Sequence, residues 1–211
     1  NSPHRTSWWR KSAFLGGALL FSGLANAQVL FDEAFTGNAS SEGFSIVDNG
    51  SSGCAAVYGN PGARTITGVG FDADFAMFDS DICGSGTNLD AYFYSPTFDA
   101  STGGFFTLAF DHQYRVCCGS VASVDVWDGA AWTSVYSLGA TSVGYGNPAV
   151  THSTDITAAT GGSAAAQVRF HYAGSWDYWW ALDNISVTRV APPAGCLTAI
   201  NGQWPGGTFT P

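Results

Sequence analysis

From Gln28 to Val190 the chain is a series of short β-like runs separated by turn clusters, and no window holds a 3.6-residue apolar period over a normal helix length. That pattern constrains the fold more than any other feature. The predicted strands are Val29–Phe35, Phe44–Val47, Phe75–Asp79, Ala91–Phe98, Gly104–Arg115, Ala122–Trp127, Trp132–Leu138, Val150–Ile156, Ala166–Tyr172 and Trp179–Arg189. Asp128-Gly129 reads as the hairpin turn between two of them. Strands at this spacing without helices imply a two-sheet sandwich or a barrel. Composition agrees: 15% aromatics and 27 Gly against 11% charged residues suit β-structure with an ample core.

Two strands fix their own facing. Phe106, Leu108, Phe110 and His112 share one side of their strand, so His112 reads as a core histidine. Val168, Phe170 and Tyr172 share a side of theirs, leaving Arg169 and His171 on the other. The last strand changes phase: Trp180 and Leu182 fall on one side, Ile185 and Val187 on the other. One extra residue reconciles them, which predicts a bulge at Asp183-Asn184.

Residues 1–27 carry a basic start (Arg5, Arg10, Lys11), an apolar run from Phe14 to Leu24, and Ala25-Asn26-Ala27. These are the parts of a secretory signal peptide, with cleavage expected after Ala27; the run is too short for a membrane span. The mature chain would keep four Arg (64, 115, 169, 189), no Lys and all 16 acids, a net charge of −12. This balance excludes ordinary binding to nucleic-acid phosphates. The signal segment implies a secreted or cell-surface protein, and a Lys-free, Asp-rich chain of that kind suggests oxygen ligands for a hard cation such as Ca²⁺. Residues 28–190 form the expected domain. Ala191-Pro192-Pro193-Ala194-Gly195 opens a Pro/Gly-rich linker over 191–211, which reads as the entry to a further module of a longer protein.

Export makes disulfides the default for Cys54, Cys83, Cys117 and Cys118. A bond between neighbours closes a strained ring, so Cys117 and Cys118 are each expected to reach Cys54 or Cys83, with Cys196 left over.

Chemistry-bearing motifs are few. The sequence has no G-x-S-x-G, H-E-x-x-H or P-loop, and it singles out no carboxylate pair for glycoside cleavage, so no catalytic residue is assigned. The Trp176-Asp177-Tyr178-Trp179-Trp180 loop can recognise sugar. Flat rings pack on pyranose C–H faces, and acids supply polar contacts. Trp176, Asp177 and Tyr178 are the candidate ligand residues, and Trp180 is assigned to the core. Glu33 sits inside an apolar strand where a carboxylate needs a partner.

Three ordered stretches carry a resemblance: Phe75–Asp81 with Asp90–Pro96, Leu108–Tyr114, and Trp179–Val187. Together they resemble the MAM-like and cleaved-adhesin type of jelly-roll domain, found in bacterial choice-of-anchor J domain proteins. The resemblance implies a concanavalin-like jelly roll, an all-β sandwich of two antiparallel sheets. It implies a non-catalytic adhesion or recognition module whose partner is a glycan or a cell-surface or matrix protein. The alternatives are an accessory domain of a secreted hydrolase (protease or glycosidase) and, beyond that, a glycan-cleaving jelly roll. Matching positions for a structural calcium ion are Glu33, Asp79 or Asp81, and Asp183.

Overall fold

The computed structural model describes residues 27–50, 53–68, 70–72, 74–146 and 148–192. The expected signal segment before Ala27, Cys196 and the expected linker beyond residue 192 lie outside the described residues.

Eleven strands follow in chain order: β1 (Ala27–Glu33), β2 (Ser45–Asp48), β3 (Val57–Tyr58), β4 (Ala76–Asp79), β5 (Leu89–Tyr94), β6 (Phe105–Arg115), β7 (Val121–Trp127), β8 (Trp132–Leu138), β9 (Val150–Asp155), β10 (Gln167–Gly174) and β11 (Trp179–Val190). They form two antiparallel sheets. One has the order β3-β4-β11-β6-β9, with β1 also on β11; the other has the order β2-β5-β10-β7-β8. From β4 to β7 the chain changes sheets at every step, and it does so again from β8 to β11, giving the expected jelly-roll sandwich.

Alternation decides which side chains fill the space between the sheets. Phe106, Leu108 and Phe110 of β6 meet Ala91 and Phe93 of β5, Val124 and Val126 of β7, and Val168 and Phe170 of β10 in one cluster. Phe110 and Phe170 touch edge-to-face at 5.2 Å, and Phe78 stacks on Trp180 at 5.7 Å. Each such side chain contributes roughly 1.5–3 kcal/mol on burial. His112 and Trp180 are fully buried, as the strand phases predict.

The bulge in β11 is where the sequence places it. Asp183 pairs with Asp111 and Ser186 with Ala109, so two residues oppose Phe110 alone. Asn184 takes a left-handed φ of 49°, which asparagine tolerates better than most residues. The extra residue turns Ile185 and Val187 back into the core beside Leu182 and leaves the Asp183 side chain on the opposite face. The β7–β8 hairpin is also as read: Asp128 Oδ1 accepts the Ala130 and Ala131 N–H groups, and Gly129 holds a φ of 96°.

Three expectations need correction. Val57–Tyr58 forms a two-residue strand too short to show a period. β5 ends at Tyr94 rather than Phe98, because Pro96 cannot donate to a ladder. The disulfides are Cys54–Cys83 and Cys117–Cys118, not bridges between the two groups. Cys54 and Cys83 lie in loops drawn together where β3 pairs with β4, whereas Cys117 and Cys118 turn the chain from β6 into β7 at the Asp177 carboxylate.

Candidate functional site

The outer face of the five-stranded sheet collects the outward phases of β5, β7, β8 and β10. Register sets the rows. Arg169 lies between Asp125 and Tyr94, His171 lies between Ser123 and Tyr92, and Trp127 lies opposite Trp132 across the hairpin. The result is a half-buried aromatic surface. Tyr92 and Tyr94 stack at 5.6 Å, Tyr94 meets Trp132 at 5.7 Å, and Trp132 meets Trp127 at 5.4 Å. His171 stacks on Tyr92 at 4.3 Å with the rings 10° from parallel.

Arg169 locks this surface. Its guanidinium carbon lies 4.2 Å from the Trp132 ring centroid and 4.9 Å from that of Tyr92. Its Nε donates to Asp125 Oδ2 at 2.8 Å. The His171 Nε2 to Asp90 Oδ1 contact, also 2.8 Å, does the same one row away. Arg169 therefore has its own acid in Asp125, and the site offers fixed polar groups between ring faces rather than a positive field. Such an arrangement suits a ligand with apolar C–H faces and many hydroxyls.

Of Tyr92, Tyr94, Trp127, Trp132, Arg169 and His171, sequence reasoning had only the last two on the outward phase. The signal for the others was present. Tyr92 and Tyr94 alternate with Ala91 and Phe93, and Trp127 and Trp132 flank the Asp128-Gly129 turn at hairpin spacing.

The loop proposed from sequence lies at the other end of β7, and of its three candidate ligand residues Trp176 is the exposed one. Trp176 is 61% exposed and holds a left-handed φ of 49°, a strained state for a bulky residue. Asp177 is corrected from sugar contact to an anchor of the cysteine turn. Its buried carboxylate accepts the backbone N–H groups of Cys117, Cys118 and Ser120. Burial pulls its pKa upward, but those donors outweigh it and hold the acid below its ordinary range. Tyr178 is likewise occupied: the Arg115 guanidinium carbon lies 3.5 Å from its ring centroid, with Trp179 beside it.

The four carboxylates expected to share a calcium ion are dispersed. Glu33 accepts from Phe35 N–H, Glu42 N–H and the Ser40 and Ser41 hydroxyls, which fold residues 35–42 onto β1. Burial alone raises its pKa, and these donors reverse the sign, so it lies below its ordinary range. Asp79 takes a two-bond clamp from Arg64 at 2.8 Å, and the same guanidinium lies 3.6 Å from Asp81. Only Asp79 and Asp81 are brought together, and a cation of the protein already holds them. A calcium ion shared by the whole set therefore does not fit, because it needs six to eight oxygens at one point.

Asp183 stands apart. It is 1% exposed, and burial pushes its pKa up to about 7, assisted by the charges of Asp72 and Asp111 against partial relief from the Asn184 and Asp72 amides. Asp111 is held by the Thr151 hydroxyl and the Asn184 side-chain amide. Gly70 closes over this group. A Cβ there would come within 2.4 Å of Asn184 Nδ2, and its φ of 58° is left-handed.

No protein-family model matches the sequence, and no curated protein matches it. Solved structures share its fold. The K3 cleaved adhesin domain of Lys-gingipain from Porphyromonas gingivalis is 17% identical with a TM-score of 0.55, covering 77% of this chain and 99% of that domain. The K1 cleaved adhesin domain of the same protein is 15% identical with a TM-score of 0.52, covering 77% and 97%. The K2 domain is 16% identical with a TM-score of 0.51, covering 74% and 96%. The chain is thus an all-β jelly-roll sandwich similar in fold to cleaved adhesin domains.

Proposed function

We propose that this protein is a non-catalytic, secreted or surface-displayed recognition module that binds a neutral glycan on the outer face of its five-stranded sheet. The observation that carries this reading is the continuous surface of Tyr92, Tyr94, Trp127 and Trp132 fastened by Arg169, with Arg169 balanced by Asp125. An extended chain of sugars can lie across the rows with C–H faces on the rings and hydroxyls toward Asp125, Arg169 and His171. The histidines support a binding rather than catalytic role: His112 is in the core, His152 packs on Tyr136 at 3.8 Å, and His171 is held by Asp90. The fold likeness to cleaved adhesin domains supports the adhesion reading, and the choice-of-anchor J membership belongs to the same proposal. No helix among the described residues is long and apolar enough to cross a membrane.

A second reading assigns recognition to the exposed, strained Trp176. Binding of the full chain to arrayed neutral and uronic-acid oligosaccharides, repeated with Trp132→Ala and Trp176→Ala, separates the two. Loss with Trp132→Ala alone supports the sheet face, and loss with Trp176→Ala alone moves the site to the loop.

Calcium enters this reading at Asp183, not across the scattered set. Among the four expected ligands, Asp183 has neither a cation nor a full set of donors among the described residues to balance its charge.

A further inference from the structure

The turn from β6 to β7 presents adjacent sulfurs that the aromatic face does not use. Cys117, Cys118 and Gly119 are exposed, and the amides of both cysteines are strapped to Asp177 Oδ1 at 2.5 and 2.8 Å. The two Sγ atoms and an Asp177 carboxylate oxygen lie within 4.8 Å of one another. Among the described residues this is the only group of three His, Cys, Asp or Glu side chains so gathered.

Three properties make this group more than a surface bridge. The sulfurs sit on consecutive residues, so opening their bond cannot scatter them, and the Asp177 clamp on both amides does not depend on that bond. The buried carboxylate lies against the turn, with one of its oxygens within 4.8 Å of both sulfurs. Asp177 Oδ1 holds the two cysteine amides and Oδ2 holds the Ser120 N–H, so both carboxylate oxygens are fixed against the turn that carries the sulfurs. Paired thiolates with one carboxylate oxygen form a donor set that prefers soft or borderline d¹⁰ cations over calcium or magnesium.

We propose that Cys117, Cys118 and Asp177 form a redox-gated site for a thiophilic divalent cation of the zinc and cadmium type, capped as the disulfide and open as the dithiol. Opening consumes a dithiol reductant. The Cys117–Cys118 bond breaks and takes up two electrons and two protons, while the reductant closes its own disulfide. The cation then binds two thiolates and one carboxylate oxygen, releases the two thiol protons to solvent and keeps water at its fourth position.

The test uses the full chain and cadmium alone as the probe, followed by the thiolate-to-cadmium charge-transfer absorption. Cys54, Cys83 and Cys196 also carry sulfur, so the decisive comparison is with the Cys117→Ser/Cys118→Ser variant, which keeps the Asp177 clamp. After reduction and removal of the reductant, the wild type should bind one cadmium more than this variant and release two more protons. The oxidised wild type should lack that site. Asp177→Asn should weaken the extra site by about tenfold or more. Equal cadmium stoichiometry in the reduced wild type and the serine variant overturns the proposal. Unchanged affinity in a folded Asp177→Asn protein overturns the three-ligand site.

Discussion

His112→Leu isolates one cause of acid sensitivity in this fold. The ring is fully buried, it contacts Phe110, Tyr136 and Trp180, and neither nitrogen has a hydrogen-bond partner among the described residues. Burial, with a smaller contribution from His152, lowers its pKa from 6.5 to about 4. Between those values the unfolded chain binds the extra proton and the folded chain does not. Stability therefore falls as pH drops through that interval and is fully present above it. At roughly 1.4 kcal/mol per pH unit the whole interval is worth about 3 kcal/mol. That is a large part of the ~5–15 kcal/mol that holds a domain together. Leucine fills similar space and has no proton to gain. Urea unfolding, read by tryptophan fluorescence from about pH 4 to about pH 7, should show the wild type losing about 3 kcal/mol more than His112→Leu. At the upper end the variant should equal or exceed the wild type, because an unpaired buried N–H has been removed. Parallel stability curves for the two proteins refute the reasoning.

Asp183 acts in the opposite sense. Its raised pKa means that the folded state holds a proton the unfolded chain has released, so stability falls as pH rises from about 4 to about 7, by up to about 4 kcal/mol. Asp183→Asn should flatten that limb in the same urea series. Calcium at about pH 8 should raise the melting temperature of the wild type and not of Asp183→Asn, and identical wild-type melts in calcium and in chelator exclude the ion. Glu33→Gln should cost about 1–3 kcal/mol whether or not calcium is present, since it unbalances donors folded onto β1. Because the Glu33 pKa is lowered, this loss should shrink as acid protonates the wild-type carboxylate. Trp180→Ala should cost about 3–5 kcal/mol by opening a core cavity, while Trp176→Ala should leave the melting temperature nearly unchanged.

The sandwich was legible because its strands alternate cleanly. Phe106 through His112 and Val168 through Tyr172 announce their inner faces, and the phase change between Leu182 and Ile185 announces the bulge. The site was less legible because it is made of outward phases on strands that are neighbours in space but distant in sequence. Tyr92, Trp132 and Arg169 become one surface only when β10 inserts between β5 and β7. The loop around Trp176 drew attention because its aromatics are consecutive, yet consecutive residues point different ways, and Asp177 turned inward to hold the cysteine turn. The carboxylates misled for a related reason. Glu33 and Asp79 do need partners, but backbone amides, serines and Arg64 supply them locally, and no periodicity reveals such contacts.

The aromatic face of the five-stranded sheet is the proposed glycan site. Calorimetry of the full chain with the neutral oligosaccharide that it retains most strongly on an array, compared with Trp132→Ala, tests this most directly. The account predicts at least about a tenfold loss of affinity, ~1.4 kcal/mol, with an unchanged melting temperature and with Trp176→Ala binding as the wild type does. Undiminished binding by a folded Trp132→Ala protein would contradict it.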